Sequence, residues 1–187
     1  MKTIRVSKSE MQKRIARFRE LEPLPIQSSA IPLAARDVVY ARKLLSVIGL
    51  EEAKTPINAG APIRGAAGMT MTLAVCPPGQ GPGLHAHRQT FETFTVLKGR
   101  FEVTWNDDGS QREVLELFDT VSFPPGVCRA FRNIGAEEGI LQVIITGGVH
   151  DMADIDFSED ARRRIDAVRP ELSREFEKAG FTFSAGS

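Results

Sequence analysis

The chain reads as an all-β barrel or sandwich with helical extensions at both ends. Seven or more short β-branched and aromatic runs, separated by turn signals, lie between residues 69 and 146. Strands at that spacing fit a barrel or sandwich rather than a parallel α/β sheet. Helical periodicity marks the segment before residue 22 and the segment after Gly148. No internal repeat or low-complexity block interrupts this order.

Met11, Ile15, Phe18 and Leu21 recur at helical spacing, and Ser7 or Ser9 can cap the start, so a short amphipathic helix is expected over residues 8–21. EPLPIQSSAIPLA carries three prolines and reads as an extended linker crossing the surface or a partner subunit. Residues 37–50 suit a helix through Val38, Ala41, Leu45 and Ile48, or strands through VVY and SVI, with a strand for part of it preferred. From residue 69 the period is two: Met69, Met71, Leu73 and Val75 alternate with Thr70, Thr72 and Ala74, a strand with one buried face. FETFTVL and RFEVTWN flank Lys98-Gly99 and are expected to form a hairpin, followed by the NDDGS turn and REVLEL. VSF, VCRAF and ILQVIIT supply further strands. Ser158 is the expected cap of SEDARRRIDAV, and Pro170 opens a second helix that Gly180 stops.

A chain of 187 residues is one domain with extensions, divided here into residues 1–36, 37–150 and 151–187. Lys plus Arg equals Asp plus Glu at 24 each, so no basic field calls for nucleic acid or an anionic membrane. No apolar run approaches the roughly 18 residues of a membrane span, and the N-terminus lacks the apolar middle of a secretory leader. Two cysteines, Cys76 and Cys128, form no CxxC and read as reduced core thiols of a cytoplasmic protein.

The densest chemistry lies between Gly79 and Gly99, in G-QGPGL-H-A-H-RQTF-E-TFTVLK-G. His85 and His87 are two apart, so on a strand both imidazoles leave the same face. With Glu92 they form the ligand set of Fe, Mn, Zn, Ni and similar metals. The pattern G-x5-H-x-H-x4-E-x6-G is filled without a gap, and it resembles the first motif of the cupin superfamily. A second segment, F-DTVSF-P-P-G-VC-R-AFR-N, resembles the partner motif: Pro124, Gly126 and Asn133 are in place, while Phe118 replaces the opening glycine and Arg129 replaces the fourth ligand, a histidine.

The resemblance implies a single-domain cupin: a double-stranded β-helix (jelly-roll) barrel, commonly a homodimer, with one divalent metal on His85, His87 and Glu92. Dioxygenase, isomerase and lyase activities all occur on this scaffold. Buried on an apolar face, Arg129 needs an anionic partner because it cannot shed its proton. Three arrangements are open: it grips a small anionic substrate beside the metal, it pairs with Glu92 and displaces the metal, or it bends outward. Glu92 and Arg129 are the candidate catalytic residues of a metal-dependent enzyme acting on a small anionic molecule. The alternative function is a non-catalytic cupin that binds or senses a small ligand through a degenerate site. Gln89 and Thr90 can orient the ligand loop, and Trp105, Phe94 and Phe131 can line the pocket. His150 reads as a turn histidine near Asp151, and Arg162–Arg164 as a solvated helix face.

Overall fold

A computed structural model describes residues 1, 3–24, 30–52, 60–65, 67–148 and 152–186. Twelve strands form two sheets of six. In chain order they are β1 (Lys43–Gly49), β2 (Ile63–Arg64), β3 (Met69–Cys76), β4 (His85–His87), β5 (Phe91–Lys98), β6 (Phe101–Trp105), β7 (Gln111–Leu115), β8 (Thr120–Phe123), β9 (Arg129–Asn133), β10 (Gly139–Thr146), β11 (Ile155–Ser158) and β12 (Thr182–Ala185). One sheet runs β2-β1-β3-β10-β5-β8 and the other β12-β11-β4-β9-β6-β7. This is the jelly-roll double-stranded β-helix. Among the described residues four α-helices accompany it: α1 (Lys8–Gln12), α2 (Leu33–Val39), α3 (Glu159–Val168) and α4 (Ser173–Lys178). None is long and apolar enough to cross a membrane.

The barrel core is the meeting of the two inner faces: Ala74, Phe94, Val96 and Leu141 from one sheet against Phe101, Val103 and Phe131 from the other. That meeting overturns the expected β5–β6 hairpin. β5 pairs with β10 and β8, and β6 pairs with β7 and β9. The Lys98-Gly99 turn, with Gly99 at φ 85°, therefore carries the chain from one sheet to the other. Facing β5 and β6 across the core buries both apolar faces, which lateral pairing alone would not do. The expected NDDGS turn joins β6 to β7 as a hairpin, with Trp105 opposite Gln111.

Burial along β3 is the reverse of what its hydropathy invites. Thr70, Thr72 and Ala74 are buried, while Met69, Met71 and Leu73 are half-buried. The threonine face turns inward because part of the interior is a cleft.

Near the N-terminus the helix is shorter than its periodicity suggests. Ser7 caps α1 in a reciprocal box with Glu10, but α1 has five residues and a separate 3₁₀ turn covers Phe18–Glu20. Met11, Ile15 and Phe18 are exposed, so no core on this chain pins a longer helix. Residues 25–29 of the prolyl segment lie outside the described residues; Pro23 bridges to Leu45, and α2 already begins at Leu33. Residues 37–50 divide, the first three ending α2 and Lys43–Gly49 forming β1.

At the other end, Ser158 caps α3 by accepting from Ala161 N–H at 3.2 Å, and α4 stops before Gly180 at φ 99°. α4 starts at Ser173, three residues beyond Pro170. Arg162 and Arg163 make surface ion pairs with Glu177 and Asp160. Sequence periodicity shows this region as helical, yet β11 and β12 add two strands to the second sheet. α2, α3, α4 and these strands share a second core built on Val38, Tyr40, Phe157, Ile165, Phe176 and Phe181.

The two motif departures have local explanations. Phe118 sits at φ 71°, in the left-handed region that the motif's glycine enters without strain, and its ring is 71% exposed. Asp119 keeps its turn role by accepting from Glu116 N–H at 2.9 Å. The exposed ring gives little burial in return for the strain. Phe118→Gly should therefore stabilise the fold by about 0.5–1 kcal/mol, after allowing for the freer unfolded chain. Chemical denaturation of both proteins checks this, and an unchanged or lowered midpoint contradicts it.

Candidate metal centre

The site is assembled across the two sheets. His85 and His87 stand on β4, Arg129 on β9 directly opposite His85, and Glu92 on β5 of the facing sheet. The lead-in to β4 needs its glycines for close approach: a Cβ on Gly81 would lie 1.9 Å from the Phe131 carbonyl oxygen. The loop is stitched to β9 by Gly79 N–H to Asn133 O and Asn133 N–H to Gln80 O. Asn133, the second motif's asparagine, donates its amide to Cys76 O and Glu137 O. Gly126, also from that motif, donates to His87 O at 2.8 Å.

His85, His87, Glu92 and Arg129 are all buried. One ligand atom from each of His85, His87 and Glu92 falls within 4.8 Å of the others. His85 Nδ1 lies 2.8 Å from Gly83 O, and His87 Nδ1 lies 3.1 Å from Asp154 Oδ2 and 2.8 Å from Thr90 Oγ1. A carbonyl or carboxylate can only accept, so each Nδ1 carries the proton and each Nε2 presents a lone pair. The two Nε2 atoms stand 3.6 Å and 3.9 Å from Glu92 oxygens, too far for hydrogen bonds. Burial and then the Arg129 charge hold His85 below the ordinary imidazole pKa, against the opposing pull of Glu92, and the neutral form is the one that ligates. The donor set thus fits a first-row divalent ion.

Of the three arrangements open for Arg129, the structure shows the Glu92 pair. Nε and Nη2 both donate to Glu92 Oε2, at 2.9 Å and 2.6 Å, and Nη1 donates to the carbonyls of His85 and Val127. The side chain does not bend outward. Glu92 Oε1 receives none of these donors and lies on the His87 side. Oε2 answers the guanidinium and also stands 3.6 Å from His85 Nε2, while Oε1 faces His87. Burial, the strongest single influence on Glu92, raises its pKa; Arg129, His87 and His85 together overcome it and hold the carboxyl well below the usual range.

Thr90 and Gln89 act as expected of supporting residues, Thr90 by its hydroxyl and Gln89 by its backbone N–H, which donates to Asp154 Oδ1 at 2.7 Å. Their common partner, Asp154, escaped the sequence reading. It precedes β11, 67 residues from His87, in a segment whose pattern carries no site signal. Phe131 lines the cleft beside the cluster, Phe94 belongs to the barrel core, and Trp105 packs on its edge against Phe123. His150 lies outside the described residues. Cys76 and Cys128 are buried free thiols, with burial pushing their pKa values up to about 12 and about 11.

Residues 72–145 match the family model of the cupin domain. Together with the two-sheet jelly roll, that match supports placing the barrel in the cupin superfamily. No curated protein matches the sequence. Among solved structures the chain is similar to Peruvianin-I, described as a cysteine peptidase from Thevetia peruviana latex (14% identity, 74% of each chain covered, TM-score 0.50). It is also similar to a Bacillus halodurans protein (21% identity, 48% of this chain and 70% of that chain, TM-score 0.44). A third is KdgF from Halomonas sp. (14% identity, 48% of this chain and 78% of that chain, TM-score 0.43). At these identities the likeness is one of fold.

Asp154 gives the site an acid sensitivity. Burial alone would raise its pKa; hydrogen bonds from His87, Thr90 and Gln89 prevail and lower it from 3.8 to about 2. A carboxylate depressed on folding stabilises the fold above its unfolded pKa, and that contribution is lost as pH falls through the folded value. Stability should therefore fall between about pH 4 and pH 2, and Asp154→Asn should flatten part of that fall. Denaturation midpoints across the window test it; parallel curves for the two proteins would refute it.

Proposed function

We propose that this protein is a metal-dependent cupin enzyme acting on a small organic molecule whose anionic or anion-forming oxygen head binds at His85, His87 and Glu92. The observation that carries the reading is the pair of fixed tautomers, which leave both Nε2 lone pairs free and facing the Glu92 carboxylate, His85 beside Oε2 and His87 beside Oε1. With three protein ligands, a bound divalent ion keeps open positions and supplies Lewis-acid polarisation of the substrate head. His85 and His87 hold the ion, while Thr90 and Asp154 keep the His87 ring oriented. Glu92 contributes Oε1 and stays ionised in the closed barrel. Arg129 is read as a positioning residue that secures Glu92 through Oε2, so the substrate's charge is met at the metal. Dioxygenase, isomerase and lyase chemistry are each compatible with such a centre. The buried thiols favour a reducing, cytoplasmic setting.

One observation favours a second reading, a non-catalytic binding or sensing cupin: Arg129 already neutralises Glu92 without any metal. Elemental analysis separates the two. The enzyme reading expects close to one divalent first-row ion per chain, removed by chelation and lost in His85→Ala and in His87→Ala. No metal after growth with added Fe, Mn, Zn and Ni would establish the second reading. Arg129→His then turns a metal-free protein into a metal binder, by restoring the motif's fourth ligand.

We further propose a homodimer, supported by the apolar side chains that the N-terminal segment leaves exposed, among them Ile4, Met11 and Phe18. Deleting residues 1–35 should weaken it. Mass measurement by light scattering after size exclusion decides, and an undiminished dimer would show that the barrel faces alone hold the subunits.

A further inference from the structure

Above the metal cluster the barrel opens into a cleft whose walls are apolar. Leu44, Val143, Ile145, Phe131, Phe157 and Phe181 line it, and its volume is about 670 Å³ including the open mouth. Among the described lining residues the ionisable groups are His85, His87 and Glu92 of the cluster and Tyr40; no lysine or arginine lines it. Arg129, the one cation beside the cluster, has turned its donors to Glu92 and two carbonyls. A polyol or a polyanion would leave several groups desolvated without partners on such walls, each at a cost.

Beside the Thr70 and Thr72 hydroxyls, Tyr40 adds a phenol to this lining. It is 7% exposed, its ring packs edge-on against Phe181, and its hydroxyl has no hydrogen-bond partner among the described residues. A buried phenol normally finds one. The position is secured through the backbone: Gln80 Nε2 donates to Tyr40 O at 2.8 Å, and α2 ends there against α3. Tyr40 thus lines the cleft and carries a hydroxyl without a partner among the described residues, its ring held by the second core.

We infer that the cleft takes a compact, mostly apolar carbonyl compound, and that the Tyr40 hydroxyl donates a hydrogen bond to its oxygen while the apolar body fills the space between Leu44, Val143, Ile145 and Phe157. Burial raises the phenol's pKa, so it stays protonated and acts as a donor. The inference rests on the proposed site but not on the metal, because the walls and Tyr40 belong to the chain. It narrows the substrate class of the site to apolar molecules with few polar groups, against sugars and polyacids.

The test uses the full chain as purified, with its metal content measured on the same preparation. Three neutral probes are titrated by ligand-observed NMR or calorimetry: acetophenone, ethylbenzene as its isostere without the carbonyl, and xylitol as a polyol. Both aromatics should bind at least about tenfold tighter than xylitol, as expected from apolar burial alone. Tyr40→Phe should weaken acetophenone about three- to tenfold, the worth of one neutral hydrogen bond, and leave ethylbenzene unchanged. Xylitol binding as tightly as the aromatics overturns the inference in the wild-type protein, whatever the fate of the variant. Equal effects of Tyr40→Phe on both aromatics, or no effect on either, overturn the role of the phenol. A metal-free preparation that keeps the probe ranking removes the enzyme reading and leaves this one standing; a metal-loaded one that loses it does the reverse.

Discussion

Glu92 and Arg129 meet in the middle of the barrel from opposite sheets, and their ion pair conditions everything around it. Both side chains are nearly inaccessible, at 8% and 1% exposure. Removing one partner of such a pair leaves an uncompensated buried charge, typically at about 3–5 kcal/mol. The guanidinium cannot neutralise itself, so the carboxylate must remain ionised opposite it. Because both donations converge on Oε2, Oε1 is left without an Arg129 donor on the His87 side. The ion pair also ties the two walls together.

The histidines answer to a different constraint. β4 has only three residues, too short to fix two rings by its own ladder, and it lies between β9 and β11. β11 pairs His87 with Ile155 and His85 with Phe157, whose ring also stacks on His85 at 5.1 Å. Asp154, just before β11, accepts from His87 and Thr90 together. The C-terminal segment therefore supplies the edge, the stacking partner and the carboxylate that set the two imidazoles. It also carries Phe181, which packs edge-on against Tyr40 and lines the cleft with it.

Packing between the extensions explains how so much of the site can depend on residues outside the motifs. α2 from one end and α3 and α4 from the other bury a shared apolar core beside the barrel. That core packs around Tyr40 and Phe157, while the Phe157 ring also stacks on His85. A cleft built half from the barrel and half from this second core can change its walls while the metal cluster stays fixed, which is how one scaffold accommodates unrelated chemistries.

What the amino-acid order determined by itself was whatever has a local cause. The spacing of His85, His87 and Glu92 followed from strand period and a short turn. The capping roles of Ser7 and Ser158 followed from side-chain chemistry near the backbone, and the succession of strands from alternation and turn residues. Arg129 was legible as a buried cation requiring an anion, but three arrangements stayed open for it. Long-range geometry decided the rest. Sheet-to-sheet packing sent β5 and β6 to different sheets across a turn that would equally serve a hairpin. The interior cleft put threonines inside and methionines outside on β3, against hydropathy. Pairing of β11 with β4 brought Asp154 to His87 across 67 positions, because carboxylate, hydroxyl and imidazole are only a site once the chain has folded them within reach.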